Sequence, residues 1–313
     1  MHFQKTVSGI TYLNLIAWER QFFNGLISGF DVKDNLFYFV LYLFFFALLF
    51  SGSPVYADKQ KELIFAVHPF KPAIQLRSMF RPLLKDLESQ LGYKIRFMTG
   101  KNYNQVIDLY KKGIADFGYL GPAGFVKTVD HTGVVPLLRI MADGKGTFQG
   151  VIVVKRKSNL HTLKELKGHS FAFGDPSSTL SHYVPHDMLL HENIKLADLS
   201  KYAFTGTHDN VARGVLLGAF DAGGLKPAVA EQYQEKGLRI LARSQPIAEH
   251  LFIANKHLDK EMREKIRNAL SRVDLATLKA IKKNITGLEP AKTADYHNLA
   301  EMISHVEKQD FQR

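Results

Sequence analysis

The sequence predicts an α/β fold built on parallel sheets, and three observations carry that expectation. Short apolar runs alternate along the chain with stretches of 3-and-4 apolar spacing, the mark of strand–helix units. Residues 171–185, FAFGDPSSTLSHYVP, place an apolar run, a tight Gly174-Asp175-Pro176 turn and a hydroxyl-rich helix start in direct succession. The chain has 313 residues, 46% hydrophobic and 23% charged, which is ordinary for a globular protein and enough for about two domains.

Taken in order, residues 63–67 read as a buried strand running into His68-Pro69-Phe70. Leu76, Met79, Phe80, Leu83, Leu84, Leu87 and Leu91 then form one apolar stripe at helical spacing, with Gly92 suited to its C-terminal stop. Residues 94–98 follow as a strand. Asn102 is placed to cap a helix that turns Tyr103, Val106, Ile107 and Tyr110 inward and ends at Gly113. Residues 116–120 are a third strand, leading into Gly121-Pro122-Ala123-Gly124. Further strands are expected at 134–141 and 150–156 around a turn at 143–146, then a short helix at 162–166 closed by Gly168. After residues 171–185, with a helix from Leu180 to about Leu190, Thr205-Gly206-Thr207 leads to His208-Asp209 and a helix through Val211, Val215 and Leu216. Residues 220–225, FDAGGL, read as a short strand, and Lys226-Pro227 opens a helix with Ala228, Val229 and Tyr233 inward. Strands at 238–242 and 251–254, a charged amphipathic helix at 260–273 and a last helix at 294–306, packed on the first lobe, complete the chain. There are no internal repeats and no long low-complexity linker.

The front end reads as a leader. Residues 36–50, LFYFVLYLFFFALLF, are uncharged and shorter than the roughly 20 residues a spanning helix needs. Small and turn residues follow, then Val55-Tyr56-Ala57 before Asp58, the pattern of a secretory signal cleaved after Ala57. The residues before the run balance Lys5, Arg20 and Lys33 against Glu19, Asp31 and Asp34, so a positive n-region is missing. A translation start near Val32 would remove that difficulty, and an uncleaved membrane anchor is the alternative. The only tryptophan, Trp18, lies in this leader.

Formal net charge is +11 with no dense Lys/Arg block and no zinc-finger spacing, which suits a field that attracts small anions better than a nucleic-acid surface. Cysteine is absent, which excludes disulfides, cysteine nucleophiles and thiolate metal sites. There is no GxSxG elbow, Walker A loop or HExxH motif, so no enzyme chemistry and no cofactor are expected. His182 and His186 are four apart, but Pro185 lies between them and His191 is out of phase, so no metal site is expected.

Ser177, Ser178 and Thr179 are the candidate site. A helix N-terminus presents unpaired N–H groups and a partial positive charge, and hydroxyls there add donors without negative charge. That combination points to a phosphorus-type oxyanion, against the plainer reading that Ser and Thr only cap the helix.

Several segments also resemble a known family in the same order. They are the opening strand ending in HPF, FRPLLKDLESQLG, NYNQVIDLYKKGIADFGYLGPAGFV, LKELKGHSFAFGDPSSTLSHYVP and GTHDNVARGVLLGAFDAGGLKPAVAEQYQEKGLRILARS. Together they resemble the PhnD-like periplasmic substrate-binding proteins of phosphate and phosphonate ABC transporters, over residues 63–306. The resemblance implies a type II periplasmic binding fold, with two α/β lobes joined by two crossing strands and a ligand cleft between them. Lobe 1 would be discontinuous, 61–149 plus 245–306, lobe 2 would be 150–244, and residues 1–57 would be the leader. The crossings would fall at 150–156 and 238–247.

By position, the resemblance makes Ser177, Ser178 and Thr179 the cradle for the anionic oxygens and Tyr119 a hydroxyl donor from the first lobe. His208 would face the ligand, and Asp209 stands where phosphonate binders often carry Glu. Asp221 would accept a proton or hydrogen bond from the ligand, and Lys226 would supply a full positive charge. His68 lies near the position where the family often has a tyrosine, a departure that weighs against an aminoalkyl-phosphonate preference. Plainer roles compete: a core tyrosine at 119, a helix cap at His208, a turn holder at Asp221, a solvated Lys226 and a strand-end His68. The expected partners are a small oxyanion and an ABC permease of the inner membrane, with no nucleic acid, for a monomer exported to the periplasm. The alternative is a sensory or adaptor protein of the same fold that presents a ligand to a membrane signalling partner.

Overall fold

The structure, a computed structural model, describes residues 62–310. The expected leader, with its cleavage site after Ala57, lies outside the described residues. Among those described, no helix is long and apolar enough to cross a membrane.

The described residues begin with β1 (Glu62–Val67), α1 (Ala73–Leu91), β2 (Lys94–Thr99), α2 (Tyr103–Lys111), β3 (Phe117–Leu120), α3 (Pro122–Thr132) and β4 (Val135–Ala142). It passes through β5 (Thr147–Phe148) to β6 (Val151–Lys155) and β7 (Ser170–Phe173). A helical turn at Thr179–Tyr183 then continues as α4 (Val184–His191), followed by β8 (Lys201–Phe204), α5 (His208–Leu217), β9 (Ala222–Leu225), α6 (Pro227–Gln234) and β10 (Leu238–Arg243). The chain returns through β11 (Ile247–Ala248) to β12 (Leu251–Ala254), α7 (Lys260–Ser271), α8 (Leu275–Lys279), β13 (Ile285–Pro290) and α9 (His297–Asp310).

These elements make two α/β lobes. One holds a six-stranded sheet in the order β13-β4-β12-β3-β1-β2, the other a five-stranded sheet in the order β10-β6-β9-β7-β8. In the first, β1 runs parallel to β2 and β3, while β12 is antiparallel to β3 and β4. In the second, β7 runs parallel to β8 and β9, while β6 is antiparallel to β9 and β10. β6 and β10, expected as the crossings, lie wholly in the five-stranded sheet. The passage between lobes is the antiparallel ribbon of β5 and β11, whose strands are too short to show as apolar runs.

The local signals act as their chemistry requires. The α1 stripe buries Leu76, Phe80, Leu83, Leu84 and Leu87, and Gly92 ends the helix in the left-handed conformation at φ 72°. Asn102 caps α2 by accepting from the Gln105 N–H at 3.0 Å. Helix α3 was not expected, because GPAG reads as a loop. Pro122 occupies the first helical position, where it is tolerated, and burial of Phe125 and Val126 outweighs the low propensity of Gly124. β13 and β8 were also missed. β13 carries Gly287 and Pro290 at a sheet edge, and β8 is a half-exposed edge without clear alternation. Ala228, expected inward, is exposed; with Pro227 at the helix start, the inner face of α6 is Val229, Ala230 and Tyr233.

The last helix corrects another expectation. α9 packs on both lobes, against α3 of the first and α4 of the second. Its Leu299, Ile303 and Val306 share one cluster with Phe125, Val126 and Tyr183. Glu307 accepts a hydrogen bond from the Tyr183 hydroxyl at 3.0 Å and pairs with the Lys127 ammonium at 2.8 Å, so one carboxylate ties both lobes.

Candidate functional site

Ligands of open α/β sheets bind outside the carboxyl ends of the parallel strands. Here the two sheets turn those ends toward each other. From the six-stranded lobe come His68 after β1, Tyr103 at the start of α2 and Gly121 after β3. His250 joins them because β12 is antiparallel: Leu251 pairs with Leu120, which sets the residue before β12 beside the end of β3. From the five-stranded lobe come residues 175–179 after β7, His208 after β8 and Lys226 after β9.

Ser177, Ser178 and Thr179 are all buried. The Ser177 N–H donates to Asp175 Oδ1 at 2.7 Å, and Ser178 Oγ accepts from the Ser181 N–H at 3.3 Å. Thr179 Oγ1 accepts from the Ala123 N–H at 3.0 Å, so the cradle touches the first turn of α3 on the other lobe. Two helix starts therefore meet head to head. The turn at Thr179–Tyr183 is a wide π-turn, with the Val184 N–H donating to the Thr179 carbonyl, and such turns cluster at functional sites. Gly174 is required behind it, since a Cβ there would lie 2.1 Å from Ser181 Oγ.

His208 opens α5, but the cap is Thr207, whose side chain accepts from the Asn210 N–H at 3.1 Å. The imidazole is left to accept the Lys226 N–H at Nδ1, 3.3 Å away. Burial pushes the His208 pKa down to about 3, with the charges of Lys226 and His250 adding to the effect. Burial also lowers the Lys226 ammonium, with Lys71 and Lys282 of the other lobe adding to it and Asp209 opposing. His68 is buried, with its ring 5.0 Å from Tyr103 and 5.6 Å from His250. Burial, assisted by His250, brings its pKa down to about 3, so it is neutral at physiological pH. Tyr119 is both core and edge. Its ring packs on Phe80 and Phe252 and stacks on His250 at 5.4 Å, and burial drives its phenol well above the usual range.

Two of the sequence candidates stand apart. Asp209 is exposed in the first turn of α5, where its charge suits the helix dipole. Asp221 sits at the other end of β9 from Lys226. Its Oδ2 accepts from the Ser170 N–H at 2.8 Å and the Ser170 hydroxyl at 2.7 Å, so it fastens the start of β7.

Sequence reasoning missed Tyr103, Asp175, Glu249, His250 and Lys282. Tyr103 was assigned only to a helix interior, yet it faces the other lobe: burial, with the nearby Asp175 charge, raises its phenol pKa. Glu249 is fully buried in the segment between β11 and β12. Burial would raise its carboxyl, but His250 Nδ1 at 3.0 Å and the Lys282 ammonium hold it down to about 2. The Glu249-His250 pair just before a strand is the one signal that pointed here. His182 and His186 pack against Phe173 with their rings 5.7 Å apart, and among the described residues no group of three or more ligating side chains is placed to hold a metal. The assembled set is hydroxyls, imidazoles, a phenol edge and an ammonium, all able to meet the oxygens of an anion.

A family model described as ABC transporter, phosphonate, periplasmic substrate-binding protein matches residues 65–296. The phosphate-import protein PhnD of Mycolicibacterium smegmatis is 28% identical over 220 residues, covering 64% of this chain and 68% of that protein. The phosphonates-binding periplasmic protein of Escherichia coli is 26% identical over 236 residues, covering 71% of this chain and 69% of that one. Among solved structures, PhnD1 of Prochlorococcus marinus in complex with methylphosphonate superposes with a TM-score of 0.71 at 22% identity, over 79% of this chain and 99% of that one. The periplasmic aliphatic sulphonate binding protein of Escherichia coli has the same fold, with a TM-score of 0.55 at 17% identity over 78% and 87% of the two chains.

Proposed function

This chain belongs to the ABC transporter phosphonate periplasmic substrate-binding protein family, and on that premise we propose that it captures a phosphorus oxyanion at Ser177, Ser178 and Thr179 and delivers it to a membrane permease. Phosphonate, phosphate and phosphite are the candidate ligands. The observation that carries the reading is the run of three buried hydroxyls at a helix start, met head-on by the start of α3. Both ends contribute N–H groups and positive dipole, and Lys226 and His208 border them.

The two lobes, residues 61–149 with 245–306 and residues 150–244, move against each other about the β5–β11 ribbon. The hydroxyls and helix amides of the second lobe bind first, and groups of the first lobe complete the shell on closure. His68 and Tyr119 belong to that later set. Asp221 fastens a strand and takes no part. Charge-assisted hydrogen bonds of this kind contribute about 1.5–3 kcal/mol each. The leader read from the sequence at residues 1–57 would direct export to the periplasm, where the carrier would meet its permease.

The test is calorimetric titration with phosphate, phosphite and methylphosphonate. Ser178→Ala should weaken the preferred ligand by about tenfold to a hundredfold, the equivalent of one such bond. Unchanged affinity, or no binding of any of the three by the unaltered protein, would remove this reading.

A further inference from the structure

The first lobe's share of the site has a definite shape. Gly121 sits at φ −72° and ψ 158°, a conformation open to any residue, so the backbone does not demand glycine there. A Cβ at Gly121 would lie 3.4 Å from His250 Nε2 and 3.5 Å from His68 Nε2. Two imidazole nitrogens from distant parts of the chain thus converge on one notch at the start of α3, beside the Ala123–Thr179 contact.

Their hydrogen-bond partners give the two rings opposite roles. His68 is 2% exposed, and its Nδ1 lies 3.3 Å from the Gly121 nitrogen and 3.4 Å from the Tyr119 carbonyl oxygen. The Gly121 N–H can only donate; taking that shorter contact as the bond, Nδ1 accepts and the proton sits on Nε2. His250 has its Nδ1 3.0 Å from Glu249 Oε2, and the carboxylate can only accept, so Nδ1 carries a proton and, in the neutral ring, Nε2 offers a lone pair. Glu249 is locked in turn by the Lys282 ammonium on its other oxygen. The groups facing His250 are His68 and Tyr119 from the strands of the first lobe, Phe148 from the ribbon, Glu249 and Lys282, and His208 across the cleft. One donor and one acceptor therefore point into a single notch.

We propose, building on the oxyanion reading, that His68 and His250 form a donor–acceptor pair that recognises the P–O–H edge of a singly protonated tetrahedral oxyanion. His68 Nε2–H donates to an ionised oxygen, and His250 Nε2 accepts from the hydroxyl. Sulfate and alkylsulfonates carry no such proton near neutral pH, and against them the His250 lone pair meets an oxygen lone pair. A site with a buried acceptor rejects a ligand that cannot donate to it.

The experiment measures phosphate, methylphosphonate, sulfate and methanesulfonate by calorimetry at pH 7 on the full chain, His250→Leu and Gly121→Ala. The unaltered protein should favour the phosphorus ligands by about a hundredfold or more. His250→Leu should lose about tenfold to a hundredfold for them and close the gap to the sulfur ligands. Gly121→Ala should lose phosphate binding with little change in melting temperature, which separates a filled notch from a failed fold. Equal binding of sulfate by the unaltered protein, or an unchanged phosphate-to-sulfate ratio in both variants, overturns the pair and leaves the hydroxyl cradle standing. Binding of none of the four anions overturns the oxyanion reading and this inference with it.

Discussion

The two faces of the cleft use different chemistry. The five-stranded lobe offers short groups fixed to a helix start: Ser177, Ser178, Thr179 and the amides around them. The six-stranded lobe offers rings: His68, Tyr103, Tyr119 and His250 within 6.2 Å of His68 by centroid. Hydroxyls rotate to suit an oxygen wherever it sits, whereas imidazoles arrive with a fixed tautomer and direction. On the proposed reading, the five-stranded face holds the charge and the six-stranded face judges which atoms bear it. The difference teaches that affinity and selectivity can be altered separately.

Acid should break the symmetry between the faces first, with the largest effect. His68 and His208, one on each face, are held neutral with pKa values near 3. Their unfolded values lie near 6.5, so the unfolded chain takes up protons that the folded chain refuses. Stability is intact above about pH 6.5 and falls as pH drops toward 3, by roughly 3 kcal/mol for each histidine at pH 4. Glu249, held near 2, adds a further loss between about pH 4.5 and 2. Thermal unfolding between pH 8 and 4 should show the decline, and His208→Asn should flatten it. A melting temperature flat across that range would show that the histidines are not buried neutral groups.

Lys226 tests the five-stranded face more gently. Lys226→Gln removes the only full positive charge among the second lobe's expected ligand groups, and should weaken phosphate about tenfold with a shallower salt dependence. An unchanged salt slope would place the ammonium outside the ligand's field. Asp221→Asn is the smallest case. Because this carboxylate fastens β7 at the far end of the strand from Lys226, phosphate affinity should change by less than about twofold, with a modest fall in melting temperature. A large affinity loss would return Asp221 to the binding set.

Much of this was legible in the sequence. The α1 stripe, the Asn102 cap and the Phe171–Ser178 turn each combine a local signal with a local consequence, and each element lies within three residues of its expected place. Helix α3 was not legible, because Pro122 and Gly124 read as a loop until Phe125 finds its core. The second lobe's hydroxyls were readable because they are consecutive. Of the first lobe's rings, His68 and Tyr119 were reached only through the family resemblance and Tyr103 and His250 not at all, because these residues become neighbours only through strand order. An antiparallel strand placed beside a parallel one delivers its starting residue where its neighbour ends, and no spacing along the chain records that. Lys282 and Glu249 pair across thirty-three positions for the same reason.

The helix that closes the chain bears on timing. Glu307 is stitched to Lys127 on one side and to Tyr183 on the other, so prising the halves apart must snap a contact remote from the solute. On the proposed reading, release of a bound anion breaks a hydrogen bond that the anion never touches.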